Sequence, residues 1–190
     1  LGDRLLSEQV TVVDDSGDPL TFRFGFDGAG LARGVFPLVQ AGTFAGLAYD
    51  LATAAKYGRR PTPHAGSWSL AMRPGSGPPA LPDALGGQGR VLYIPALHYL
   101  HVPNRSKGTF TGSSRFGAVL IEDGQVTRPI YSCRITDTFA RVFGHVETLS
   151  PRAVAVNLSS TYGRRQPEGA SVPAYMVSSQ VAITDSAEAF

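Results

Sequence analysis

The chain has 190 residues, of which 22 are Gly and 14 Pro, so it reads as one domain or at most two, built from short elements with many turns. Hydrophobic residues reach 43% and charged residues only 17%, which excludes a disordered chain and provides enough apolar surface for a core. Its 17 basic and 15 acidic residues leave a net charge of +2, too small a bias to imply nucleic acid or a membrane surface.

In chain order the pattern is mostly β. Val10 to Val13 is a β-branched run that ends at the turn cluster Asp14-Asp15-Ser16-Gly17. Leu20, Phe22, Phe24 and Phe26 alternate with smaller or polar residues, which predicts a strand with one apolar face. Val35 to Gln40, Ala41-Gly42, then Thr43 to Tyr49 predicts a hairpin. Asp50 is placed to cap a helix over Leu51 to Tyr57, with Gly58 as its left-handed end. Arg59 to His64 reads as a loop and Ser67 to Met72 as extended chain. Residues 73–90 are the loosest stretch, a connection between subdomains with a short helix near Pro82 to Leu85.

Val91 to Leu97 reads as a strand. Phe116 to Glu122, Asp123-Gly124 and Gln125 to Thr127 form a strong hairpin signal, followed by a strand at Ile130 to Ile135. Phe139, Val142, Phe143, Val146 and Leu149 then share one face of a helix, capped by Thr136 or Asp137 and closed by Ser150-Pro151. Ala153 to Leu158 and Ser171 to Thr184 end the chain as strands. The expected fold is α+β: β-rich, mostly antiparallel sheet, with about two packed helices.

Residues with chemical potential have ordinary readings by their pattern. His64 reads as a polar loop residue. His98 and His101 are three apart beside a strand, so they should point to opposite faces and not pair on a metal. Cys133 alternates with Tyr131 and Ile135 and reads as a buried, inert thiol. A single cysteine excludes an internal disulfide and fits a reducing, cytoplasmic setting. Thr111-Gly112-Ser113-Ser114-Arg115 reads as a turn and not as a nucleophile elbow. The acid pairs Asp14-Asp15 and Glu122-Asp123 read as solvated turn acids. Arg59-Arg60 and Arg164-Arg165 are basic pairs in Gly-containing loops, able to receive carboxylates.

Several segments in order resemble a known family. They are Phe26-Asp27-Gly28-Ala29-Gly30, Phe36 to Gly46 (FPLVQAGTFAG), Tyr49 to Gly58 (YDLATAAKYG) and Gly108 to Gly124 (GTFTGSSRFGAVLIEDG). Together they are similar to the C-terminal domain of the TldD/PmbA (TldE) family, the metallopeptidase-related modulators of DNA gyrase, from about Leu1 to Thr184. The resemblance makes residues 1–190 one such domain, with an N-terminal domain upstream. The start at Leu1, with no Met and no signal-peptide pattern, reads as an entry in mid-sequence.

The resemblance implies heterodimers or homodimers that process peptides or unfolded chains. In the TldD type, zinc is held by a His-Glu-x-x-x-His helix upstream and a late cysteine in a segment like Cys-Gly-Lys-x-Gly-Gln. The matching segment here is Tyr162-Gly163-Arg164-Arg165-Gln166. Tyr162 stands where the cysteine would be, and a phenol is a poor zinc ligand. Gly28-Ala29 likewise replaces the acid of the family's Asp-x-Glu-Gly motif. The chain therefore resembles the metal-free TldE/PmbA side: non-catalytic alone, with no cofactor of its own, and paired with a zinc-bearing TldD-like subunit or with itself. An extended peptide is the expected ligand, with no nucleic acid or membrane partner. Arg59, Arg60, Tyr162, Arg164 and Arg165 are the expected contact residues, basic groups for carboxylates and Tyr162 as a lid. The alternatives are an active metallopeptidase whose zinc ligands lie outside this chain, and a stand-alone binding domain.

Overall fold

A computed structural model of the chain describes residues 1–64, 69–157 and 169–188. Its strands in chain order are β1 (Val12–Asp15), β2 (Val35–Gln40), β3 (Thr43–Phe44), β4 (Ser69–Met72), β5 (Arg90–Tyr93), β6 (Ala96–Asn104), β7 (Thr109–Arg115), β8 (Ala118–Glu122), β9 (Gln125–Thr138), β10 (Val146–Leu149), β11 (Ala153–Asn157), β12 (Gly169–Pro173), β13 (Met176–Ser178) and β14 (Ile183–Glu188). The helices among the described residues are α1 (Leu51–Tyr57), α2 (Leu81–Leu85) and α3 (Phe139–Gly144). This is the α+β class expected, with mostly antiparallel pairing. The chain forms two compact units: Leu1–Ser76 with Leu149–Met176, and Gly77–Thr148 with Val177–Phe190. The first crossing, between Ser76 and Gly77, falls inside the Gly- and Pro-rich stretch 73–90.

The first unit holds a six-stranded sheet in the order β11-β12-β4-β1-β2-β3. Pairing is antiparallel except where β12 runs parallel to β4. β1 lies between β4 and β2, and Val13, Asp14 and Asp15 are all buried. The β2–β3 turn places Ala41 at φ 46° and Gly42 at φ 77°, the twist-matched hairpin geometry. Gly42 is required twice over, because a Cβ there would also lie 2.2 Å from the Leu6 carbonyl oxygen. α1 forms as its sequence predicts: the Asp50 side chain accepts the Thr53 N–H at 2.7 Å, and Gly58 closes the helix at φ 60°. Val10, Val13, Val39, Ala71, Leu149 and Ala170 supply the apolar core.

Two expectations fail in this unit. Asp14 and Asp15 are not turn acids; they continue the strand and are buried. The alternating segment Leu20 to Phe26 is not a strand, and Phe22 and Phe26 are exposed. Its backbone turns instead: Thr21 N–H bonds Asp18, Arg33 N–H bonds Gly25, and Phe26 bridges Ala32. Alternation supplied a face, but no neighbouring strand supplied a ladder.

The second unit is built around β9, which is 14 residues long. The first part of β9 pairs with β8 across the Asp123-Gly124 turn, with φ of 49° and 76°. Its latter part pairs with β7, and β14 joins it antiparallel from Ile130 to Ile135. The sheet order is β5-β8-β9-β7-β6, with β14 on β9. Phe110, Ile135 and Val142 form a core cluster against Ile94, Leu97 and Val181. Phe110 and Phe139 stack at 4.8 Å. β10 and β13 pair as a separate two-stranded ladder.

Here too some boundaries move. Residues 111–115 are strand β7, not a turn. Val91 to Leu97 splits into β5 and β6 around Pro95. The strand expected over Ser171 to Thr184 is three pieces, β12, β13 and the start of β14. The helix expected through Leu149 stops at Gly144, capped by Thr138 rather than Thr136 or Asp137, and Val146 to Leu149 become β10. A bulge also changes the two histidines. His98 lies across from Ser113 and His101 across from Thr111, residues two apart on β7, so both histidines share a face. Tyr99 at φ 49° provides the irregularity.

Candidate functional site

The chemically distinctive place lies in the first unit, on its central strand. Asp14 is wholly buried. Arg33 Nη2 donates to both of its carboxylate oxygens, at 2.6 and 2.7 Å. His64 Nδ1 lies 2.6 Å from Oδ2, and the Ser69 N–H donates to Oδ1 at 3.1 Å. A carboxylate accepts, so His64 presents Nδ1–H to it. The His64 ring stacks on Phe36, centroids 5.0 Å apart. Three separate segments thus converge on one acid: the loop before β2, the loop after α1, and β4.

Local structure explains each delivery. The Asp27 side chain accepts the N–H groups of Ala29 and Leu31 at 2.9 and 2.8 Å, folding residues 27–31 into a tight reversal. That reversal brings Arg33 back antiparallel to Gly25 and onto Asp14. Downstream, the Thr62 hydroxyl and N–H tie back to Tyr49, which holds the loop that carries His64. Next to the centre, Asp15 accepts from Arg73 at 2.7 Å. Burial pushes the Asp15 carboxyl up, but the Arg73 hydrogen bond, the Gly17 and Asp18 N–H groups and the Arg73 charge together hold it below its ordinary value.

Beside Arg33 is a pocket of about 400 Å³. Its wall includes Asp27, Leu31, Arg33, Asp50, Leu51 and Thr62. Arg33 is almost fully buried, 2% exposed, yet its Nη1 is buried with no hydrogen-bond partner. An unsatisfied guanidinium nitrogen in a native interior is uncommon and calls for an explanation. Asp50 is held below the usual carboxylate range, chiefly by the Thr53 N–H and then the Thr53 hydroxyl.

The arrangement is a poor metal site. Among the described residues no three His, Cys, Asp or Glu side chains come together. The buried Asp14–His64 pair is completed by an arginine, whose charge would oppose a metal ion. Nor does it present a serine nucleophile: Ser69 is wholly buried and its hydroxyl donates to the Phe22 carbonyl at 2.7 Å. Cys133 is a buried free thiol. What the site does is tie three segments to one buried acid, with the carboxylates of Asp27 and Asp50 on the wall of the neighbouring pocket.

Two of the five expected contact residues lie among the described residues. Arg59 and Arg60 are exposed in the loop that ends at His64. Tyr162, Arg164 and Arg165 lie outside the described residues. Of the residues that do converge, the sequence offers Asp14 as a turn acid and His64 as a loop histidine, and Arg33 not at all. The signal was the abrupt placement of two acids directly after Val12-Val13, in a run buried on both sides of the strand.

A strand-rich α+β domain of two units, with a buried Asp–Arg–His centre, is the class that this fold and site define. The sequence matches the PmbA/TldA metallopeptidase C-terminal domain over residues 1–184, and the chain belongs to that family. No curated protein matches it. Its fold is similar to that of TldE from Thermococcus kodakarensis, with a TM-score of 0.80 at 22% identity, covering 96% of this chain and 41% of that one. A candidate modulator of DNA gyrase from Thermotoga maritima gives 0.76 at 18% identity, covering 96% of this chain and 40% of that one. One from Bacteroides thetaiotaomicron gives 0.72 at 20% identity, covering 91% and 36%. The likeness to these structures is one of fold, and the chain spans about two fifths of their length. No helix among the described residues is long and apolar enough to cross a membrane.

Proposed function

We propose that this chain is the C-terminal domain of a TldE/PmbA-like subunit. It pairs with a zinc-bearing TldD-like subunit and helps enclose an extended peptide, without supplying a zinc ligand. The observation that carries the reading is Tyr162, which stands in Tyr162-Gly163-Arg164-Arg165-Gln166 where the resemblance places a zinc-binding cysteine. Zinc favours thiolate, imidazole and carboxylate, and a neutral phenol is a weak substitute. The family match supports the wider assignment, and the arginine-completed Asp14 centre supports a positioning role in place of metal chemistry.

An extended peptide is held in such a complex largely through main-chain hydrogen bonds, which tolerate many sequences. The arginines Arg59, Arg60, Arg164 and Arg165 supply donors for carboxylates. The test is purification of the intact protein alone and with a TldD-like subunit, measuring zinc content and peptide cleavage in both. Both should depend on the partner. Stoichiometric zinc that is lost when a residue of this chain is substituted would defeat the proposal.

A further inference from the structure

The sheet of the second unit turns one face to its core and the other away from it. Phe110, Ser114, Cys133, Ile135 and Asp137 are buried on the first face. On the second, His98, Ser113 and Arg134 lie across from one another on β6, β7 and β9, and His101, Thr111 and Thr136 form the next row. We infer that this face binds a carboxylate of an extended peptide, held by Arg134, His98 and His101 over the Ser113 and Thr111 hydroxyls. The inference rests on the peptide-handling reading above and adds a place and a chemical group.

Arg134 is fixed at the centre of this cluster. It lies across from Ser113, yet its Nη1 donates to Thr111 Oγ1 at 3.1 Å, so the guanidinium reaches diagonally between the two rows. Thr111 and Thr136 share a hydrogen bond of 3.0 Å, and Thr136 accepts from Thr184 at 3.2 Å. A guanidinium has about five N–H donors, and Thr111 takes one of them. Arg134 forms no ion pair among the described residues. Directly opposed side chains on a sheet face sit about 5 Å apart, so an anion over Ser113 and Thr111 is within reach of Arg134 on one side and both imidazoles on the other. An imidazole offers an N–H in either charge state. The two histidines share this face because β6 bulges at Tyr99, held at φ 49°. That backbone is costly for an aromatic residue, and a regular strand would turn one imidazole away.

The charge balance selects a singly charged oxyanion. Over Thr109–Arg115 and the facing half of β9, this face carries hydroxyls and two guanidinium groups and no acid. Arg115 lies over the Phe116 ring at 5.0 Å, which leaves Arg134 as the cation of the cluster. Asp185, across from Arg134 on β14, is exposed and forms no ion pair with it. Its charge penalises a second negative charge on the ligand, so a carboxylate is matched better than a phosphate dianion. The planar guanidinium fork also suits a carboxylate, which it meets with parallel N–H bonds.

The experiment uses the intact protein, with its TldD-like partner where one co-purifies, and isotope labels on the histidine rings. Four probes are titrated by calorimetry and NMR: N-acetyl-Ala-Ala-Ala with a free C-terminus, N-acetyl-Ala-Glu-Ala-amide, the neutral N-acetyl-Ala-Ala-Ala-amide and inorganic phosphate. A carboxylate peptide should bind roughly fivefold or more above the neutral one and shift the ring signals of both His98 and His101. The tighter of the two carboxylate peptides identifies the source as a C-terminus or an acidic side chain. Arg134→Gln should remove the preference, and Arg134→Lys, which keeps the charge without the fork, should weaken binding by roughly threefold or more. His98→Gln leaves the Arg134–Thr111 bond in place and should also weaken binding by roughly threefold, which keeps the test open if the Arg134 variants do not fold. Arg105→Gln, in the exposed turn between β6 and β7, removes the same charge and should change nothing. Equal binding of the neutral peptide, a preference that survives Arg134→Gln or His98→Gln, or tighter binding of phosphate overturns the inference while leaving peptide handling intact. Failure of all three peptides to bind, with or without the partner, overturns both.

Discussion

In the first unit the wholly buried side chains include Asp14 and Ser69 beside Val10 and Leu149, whereas in the second they are Ala118 and Cys133. Both units nonetheless bury acids, and Asp14 of the first and Asp137 of the second are satisfied differently. Asp137 in the second unit accepts the N–H groups of Thr138 and Ala182 at 2.7 and 2.8 Å, so backbone alone occupies both of its oxygens. Its nearest cation, Arg141, is half exposed at 3.8 Å. Asp14 instead takes Arg33 from 19 positions away and His64 from 50. A backbone-satisfied acid fastens one turn. A side-chain-satisfied acid fastens several loops to each other, and those loops line the pocket.

The largest effect should come from removing the centre itself. Asp14→Ala leaves a buried arginine without its counter-charge and should cost about 4 kcal/mol. Asp137→Ala leaves only backbone N–H groups unpaired and should cost about 2 kcal/mol. Urea denaturation of both variants measures the gap. Equal losses would mean that the two acids are equivalent and that the Asp14 centre has no special standing.

A smaller pair of effects concerns two hairpin glycines, one per unit, with nearly the same φ. Gly124→Ala has open space around the new methyl and should cost about 1 kcal/mol for the left-handed backbone alone. Gly42→Ala meets the Leu6 and Ser7 carbonyl oxygens at 2.2 and 2.7 Å and should cost well above that. Thermal melts of the two variants report the difference, and similar midpoints would show that the N-terminal segment does not pack on the turn.

The smallest effect is one of pH. Asp15 is held below its ordinary value of 3.8 in the folded protein, so the carboxylate stabilises the fold above the unfolded value. That stabilisation is lost as pH falls through the lowered folded value. Arg73→Met should flatten the acid limb of a stability profile between about pH 5 and pH 2. An unchanged acid limb would remove Arg73 from the account.

What could be read from the sequence was what is local. The Asp50–Gly58 helix and the hairpins at Ala41-Gly42 and Asp123-Gly124 carry their own caps and turn residues within ten positions. Leu20 to Phe26 misled because alternation states only that a strand would have a face, and the Asp27 reversal prevents the ladder. Val146 and Leu149 fit a helical spacing and are buried, but they sit in β10, where residues three apart can both be buried at strand ends. Asp14 was unreadable because its partners are remote: an acid after Val12-Val13 looks like a turn until Arg33 and His64 arrive. Arg33 gave no sequence signal at all, since only the folded chain sets its guanidinium on Asp14.

The central claim is that this chain works in a TldD/PmbA-type complex without supplying a zinc ligand. Metal analysis of the intact protein, purified alone and with a TldD-like subunit, tests it most directly. The account predicts stoichiometric zinc only when the partner is present, unchanged by Tyr162→Phe. Stoichiometric zinc in the protein alone, lost on substituting a residue of this chain, would contradict it.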